Sequence, residues 1–472
     1  MGAVVDTTPA VRVGAGRIGG QAASLPWRAG LAGRSVLLIY AVAFSLVVSL
    51  AAWLVVGPEA TQAAKPVNSL GLRAEYDIAA AINWQQGKVT VTSVAHIRNT
   101  RDSNVGKLAF NLLPLKLGHI TDLTASVGKN PVTPTVSDQT VLITLPTALG
   151  PTEEVNVTIG YRATFNTNTG GKKALFMKKN GIAAAYRWIP WLSRQQRYST
   201  PNFGETWVTA NSPRVTVTLT SDAGLVYATS GKRVATNGNS QTFKAHNVRD
   251  FNFAASPNYK IKKTTWNGIR LRVLYKVSNP SALMSWSLKA LKRFSNRVGK
   301  YPYDHLDVAE TPAGAGMESP GMTWVDATLA KSHFAYIVVH EMSHQWFYGA
   351  VGNNQATQPF LDEAVGDFLT RDMLGSFRQP SCAKARLDLR VYDYSARCYN
   401  EVVYVQGGLY LRNYRNQVGD NKFWAGLRNY FLARKFELGN TREFLDTLDA
   451  ASGYKSQNHA NRFPSLYNEG GQ

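Results

Sequence analysis

His340-Glu341-Met342-Ser343-His344 constrains this chain more than any other segment. It lies in a run, Phe334 to Tyr348, whose pattern predicts a helix. Histidines four apart stand one above the other on a helix face, so two imidazoles can reach one metal ion. Imidazole suits Zn²⁺, which takes nitrogen ligands at about 2.0–2.1 Å. Glu341 sits one position round the helix, where its carboxylate can take a proton from an attacking water. The competing reading is two histidines on an ordinary half-exposed helix.

A hydrolytic zinc site needs three protein ligands and one open position. Pro359-Phe360-Leu361-Asp362-Glu363-Ala364-Val365-Gly366-Asp367-Phe368 also has helical character and runs to about Gly375. Glu363 lies nineteen positions after His344, which leaves room for a turn and a second helix packed on the first. Its carboxylate then completes a His340, His344, Glu363 set holding one Zn²⁺ per chain. Asp367, one helical turn on, is expected to accept the second ring N–H of His340, as carboxylates behind metal-bound histidines do. For both acids the alternative is a solvated charge on a helix.

These residues carry a family resemblance. Two histidines in H-E-x-x-H, eighteen intervening residues and a glutamate resemble the gluzincin arrangement. Val339 to Phe347 is similar to the zinc helix of the aminopeptidase N family of zinc metallopeptidases, above all its shorter bacterial members. Gly316-Met317-Glu318-Ser319-Pro320 resembles that family's G-x-M-E-x segment, although Ser319 stands where Asn or an aromatic is usual. The Gly/Pro-rich surroundings of Glu318 read as a loop, and the resemblance implies that Glu318, with Gly316 and Met317 beside it, binds the free α-amine of a peptide. Tyr404-Val405-Gln406-Gly407-Gly408 resembles the segment whose tyrosine supports the oxyanion. The implied catalytic domain is thermolysin-like and mixed α/β.

The rest of the chain fits an exported enzyme. Ser35 to Val56 carries no charge and exceeds the roughly 20 residues that a bilayer-spanning helix needs. Arg12, Arg17, Arg28 and Arg34 precede it, which predicts a cytoplasmic N-terminus and an outward-facing remainder. Small residues around Thr61-Gln62-Ala63 leave a cleaved signal and a secreted form as the alternative. Cys382 and Cys398 are either one loop-closing bridge or two buried thiols. The net charge of +21 is dispersed in short pairs such as Lys172-Lys173, with no nucleic-acid motif. It suits anionic lipid or cell-wall polymer, or simply a solvated surface.

The expected architecture is therefore multidomain α+β. Residues 1–34 form a flexible tail, 35–57 a membrane anchor that contacts lipid, and 58–69 a linker. Alternating runs such as Lys88–Val94, Thr140–Leu145, Glu154–Ile159 and Arg214–Leu219 predict an antiparallel β-rich domain over 70–261. Trp188, Trp191 and Trp207 are expected in its core or at a domain interface. Residues 262–460 form the zinc peptidase domain and 461–472 a loose tail. Asn279-Pro280 predicts a capped helix start with Met284, Leu288, Leu291, Phe294 and Val298 facing the core. Asp420 and Thr441 are expected to cap two later helices.

The function expected is a membrane-anchored zinc aminopeptidase acting on peptides. One alternative is an endopeptidase on the same scaffold, its cleft open at one end. Another is a non-catalytic extracytoplasmic binding protein with a vestigial site. The sequence sets no oligomeric state.

Overall fold

The computed structural model describes residues 65–198, 206–455 and 457–467. The expected anchor over 35–57 lies outside the described residues. Among the described residues, no helix is long and apolar enough to cross a membrane.

The N-terminal half follows its alternation. β1 (Arg73–Asn83) buries Ala74, Tyr76, Ile78, Ala80 and Ile82 and turns the residues between them outward. β2 (Lys88–Arg98) does the same with Val89, Val91, Ala95 and Ile97. The run at Thr140 becomes β3 (Thr140–Leu149), part of a four-stranded sheet. β4 (Glu154–Thr164) and β5 (Val215–Ser221) join an eight-stranded sheet in the local order β5-β1-β2-β4. One pairing departs from the antiparallel expectation: β1 and β5 run parallel, with Tyr76 opposite Val215. A parallel neighbour needs a long crossover, and the chain between these strands builds other sheets before returning.

The C-terminal half opens on a hairpin, β6 (Lys260–Trp266) and β7 (Ile269–Tyr275), turned by Asn267-Gly268 with both residues at positive φ. The crossover is α1 (Pro280–Arg297), where the Asn279 side chain accepts from the Ser281 and Ala282 amides as expected. β8 (His305–Thr311), β9 (Gly316–Ser319) and β10 (Met322–Asp326) complete a five-stranded sheet ordered β6-β7-β8-β10-β9. Behind it pack α2 (Lys331–Ser343), α3 (Val365–Leu374), α4 (Gly407–Val418), α5 (Asp420–Arg434) and α6 (Thr441–Ser452). Two expected caps fall one residue early. Asn440 accepts from Glu443 N, so Thr441 is already helical, and Asp420 is a first-turn acid after Gly419.

Each half has its own apolar core, and a third cluster joins them. There Leu113, Met177, Ile182, Tyr186 and Trp207 meet Leu274, Ala309, Met322 and Trp324. Trp207 thus sits at the junction, whereas Trp188 and Trp191 belong to the β core. The end of the chain is not uniformly loose. Gln457–Arg462 and Pro464–Tyr467 are short helices, because Phe463 is fully buried against Phe360 and Tyr410.

Cys382 and Cys398 form a disulfide across a sequence separation of 16. The bridge ties an exposed loop to the turn preceding Tyr404. In the chain-entropy account, closing a loop this short stabilises by about 3 kcal/mol. Denaturant melts with and without a dithiol should therefore differ by up to about that amount. Coincident melts with confirmed reduction would remove this role.

Candidate active site

α2 carries His340 and Glu341, and His344 is its C-cap rather than an interior residue. The helix expected to reach Tyr348 is shorter and ends at Ser343, and Tyr348 itself takes φ 113°, outside helical space. Helix register nevertheless holds through His344, so both imidazoles share one face. Glu363 comes from a wide π-helical turn, Phe360–Ala364, that leads into α3. Such turns recur at functional sites because they re-aim side chains within a helix.

The three side chains converge. His340 Nε2 lies 3.1 Å from His344 Nε2 and 3.2 Å from Glu363 Oε2, and His344 Nε2 lies 3.4 Å from the same oxygen. A tetrahedral zinc with bonds of about 2.0–2.1 Å needs donors roughly 3.3–3.4 Å apart. The observed triangle matches that requirement. All three residues are buried. The Nδ1–H of His344 donates to the Phe347 carbonyl at 3.0 Å, which leaves the Nε2 lone pair for a metal. Burial opposes charge on His344, yet the hydrogen bond and charge of Glu363 outweigh it and raise the histidine's pKa. With a bare lone pair on each Nε2, two imidazole nitrogens this close would repel; a proton or a metal must lie between them.

Asp367 does not accept from His340, contrary to expectation. Its carboxylate is taken by Arg371 Nε at 2.7 and 2.9 Å and by the Tyr336 hydroxyl at 2.5 Å. Arg371 stands four residues along the same helix, a pairing distance that favours the local partner. Tyr336 stacks on the His340 ring at 5.6 Å, so Asp367 reaches that histidine only through the phenol. His340 Nδ1 has no hydrogen-bond partner among the described residues.

Glu341 reaches under β9. A Cβ on Gly316 would lie 2.2 Å from Glu341 Oε1, so only glycine admits the carboxylate there. Glu318 is on the same strand, not in an irregular loop as its Gly/Pro-rich surroundings suggested. β9 pairs antiparallel with β10 at the sheet edge. Gln345, immediately after His344, holds the connecting turn: its amide donates to Ser319 O at 2.8 Å and accepts from Gly321 N at 2.9 Å. The zinc helix and the Glu318 hairpin are thereby locked together.

Tyr404 lies in a second π-helical turn, Asn400–Gln406. Its ring stacks on His340 at 5.4 Å and meets Tyr399 edge-on at 5.9 Å. The Gly407-Gly408 pair that follows serves packing. A Cβ at Gly407 would meet Ala364 Cβ at 2.5 Å, so α4 can lie close to the Glu363 turn only without one.

Gly316, Met317, Glu318, His340, Glu341, His344, Glu363 and Tyr404 all line one cleft of about 940 Å³. Sequence reasoning missed the buried polar groups beside it. Arg187 Nη2 meets the Tyr348 hydroxyl at 2.9 Å, and Tyr348 also contacts Asp250 and Tyr186. Burial first, then the nearby charge of Glu318, raises the phenol pKa of Tyr186. Only Gln345 had an audible signal, its place directly after the second histidine.

A paired-histidine, glutamate site at the foot of a five-stranded sheet defines a gluzincin-type zinc centre. Residues 286–463 match the peptidase family M1 domain. Aminopeptidase 2 of Candida albicans is 24% identical over 243 residues, 44% of this chain and 26% of that protein's length. The match thus spans about a quarter of that relative. The M1 zinc metallopeptidase of Deinococcus radiodurans has the same fold: a glutamate-to-alanine mutant superposes with TM-score 0.64 at 17% identity, over 84% of this chain and 94% of that one. The same mutant bound to a Tyr-Ser-Ala substrate gives 0.62 at 17% identity over the same shares. Over residues 286–463 the chain is similar to the aminopeptidase N-like gluzincins of peptidase family M1.

Proposed function

We propose that this protein is a zinc aminopeptidase, anchored by residues 35–57 with its catalytic part facing outward. The observation that carries the reading is the convergence of Glu318 and Glu341 with the His340, His344, Glu363 triangle in one cleft. Zinc, when bound, supplies Lewis acidity and makes a neighbouring water more acidic. Glu341 takes the proton of the attacking water and returns it to the leaving amine. Tyr404 donates to the oxygen on which negative charge grows. Glu318, buried to 5% exposure, pairs with the α-ammonium of the substrate and sets the cut one residue from the end. The peptide seen in the Deinococcus relative supports a peptide in this cleft.

Removing one partner of a desolvated charge pair costs about 2–5 kcal/mol. Glu318→Ala should therefore lower kcat/KM for free-amine substrates more than tenfold with zinc retained, and affect N-acetylated peptides far less. An equal loss on both would remove Glu318 from amine recognition. The anchor is tested separately. Protease added to intact cells should reach residues 58–472 and spare the N-terminal tail. A soluble mature form starting near residue 64 would point to a cleaved signal.

A further inference from the structure

The amine-binding carboxylate does not stand alone. Gln355 lies in the loop between the zinc helix and the Glu363 turn, and its side chain is almost fully buried at 2% exposure. Its Nε2 lies 3.4 Å from Glu318 Oε1. Its Oε1 faces Arg187 Nη2 at 3.5 Å. Arg187 comes from the β-rich half and is itself fixed by Tyr348 at 2.9 Å and by Asp250 at 3.9 Å.

This arrangement fixes which way the amide points. A flipped Gln355 would aim its oxygen at the buried Glu318 carboxylate and its NH₂ at the Arg187 guanidinium. Both contacts would be repulsive in a site with no water-like screening. The orientation shown satisfies both neighbours at once. Arg187 therefore sets the direction of Gln355, and Gln355 presents an N–H to Glu318.

A carboxylate on a strand can rotate about its own side-chain bonds, and an ammonium is recognised well only by an oxygen held in place. We propose that Gln355, oriented by Arg187, is a positioning residue that aims Glu318 at the α-ammonium of the substrate. Preference for a free N-terminus then depends on a guanidinium contributed by the β-rich half. The proposal rests on the reading of Glu318 as the amine-binding residue.

The test is a double-mutant cycle on full-length protein with leucine p-nitroanilide as the free-amine probe. Gln355→Met keeps the volume and removes the amide. It should raise KM roughly tenfold, as loss of a hydrogen bond to a charged group does, with zinc content unchanged. In the Glu318→Ala background the same substitution should change kcat/KM less than twofold, because the group it positions is gone. A similar loss in both backgrounds would overturn the proposal, since Gln355 would then act on the fold or the metal site. No effect of Glu318→Ala by itself would instead overturn the amine-site reading beneath it. Should Gln355→Met not fold, Gln355→Asn retains the amide one methylene short of Glu318 and is read in the same cycle.

Discussion

Glu341→Gln is expected to lower turnover by about 10²–10⁴-fold while the protein keeps one zinc per chain. Glutamine preserves the shape that fits beneath Gly316, where the Glu341 carboxylate would touch any larger residue. It removes only the capacity to accept a proton. Glu341 is not one of the three residues whose donor atoms converge, so metal content should not follow activity. KM should change little, because proton transfer matters in the transition state and not in binding. Near wild-type turnover would exclude Glu341 as the base. Loss of zinc in step with activity would make it a structural residue of the metal site.

His344→Ala is the complementary case, in which metal and activity fall together. The substitution removes one of three protein donors and also one of the two partners of Glu363, which is buried to 4% exposure. Loss of a residue that merely supports a ligand weakens metal binding by roughly 10–100-fold. Loss of the ligand itself should cost more, leaving the purified protein nearly free of zinc. The Glu363 carboxylate retains His340 at 3.2 Å, so the fold should survive. Elemental analysis showing full zinc occupancy in this variant would break the ligand assignment.

The zinc triangle was legible because its signal is local. Two histidines at helical spacing and a glutamate on the next helical run need no knowledge of distant pairing. Asp367 shows the limit of stopping at the nearest attractive role. Arg371 stands four residues on, and that i,i+4 partner was visible in the sequence as the competitor for the same carboxylate. Glu318 was recognised by its neighbours but misplaced as loop. Four residues at a sheet edge, Gly316–Ser319, are too short to show alternation, and the flanking Gly and Pro read as turn. The parallel pairing of β1 with β5 and the contact of Arg187 with Gln355 join segments far apart in the chain. Nothing in either local pattern announces such partners. The anchor is the reverse case, read wholly from composition and lying outside the described residues.

The most direct measurement is digestion of one peptide in two forms, free at its N-terminus and N-acetylated, followed by mass spectrometry over time. The aminopeptidase account predicts a ladder of products shortened one residue at a time from the free form. The acetylated form should persist, since it brings no cation to Glu318. Internal cleavage of both forms at similar rates would contradict the account and make the protein an endopeptidase on the same zinc site.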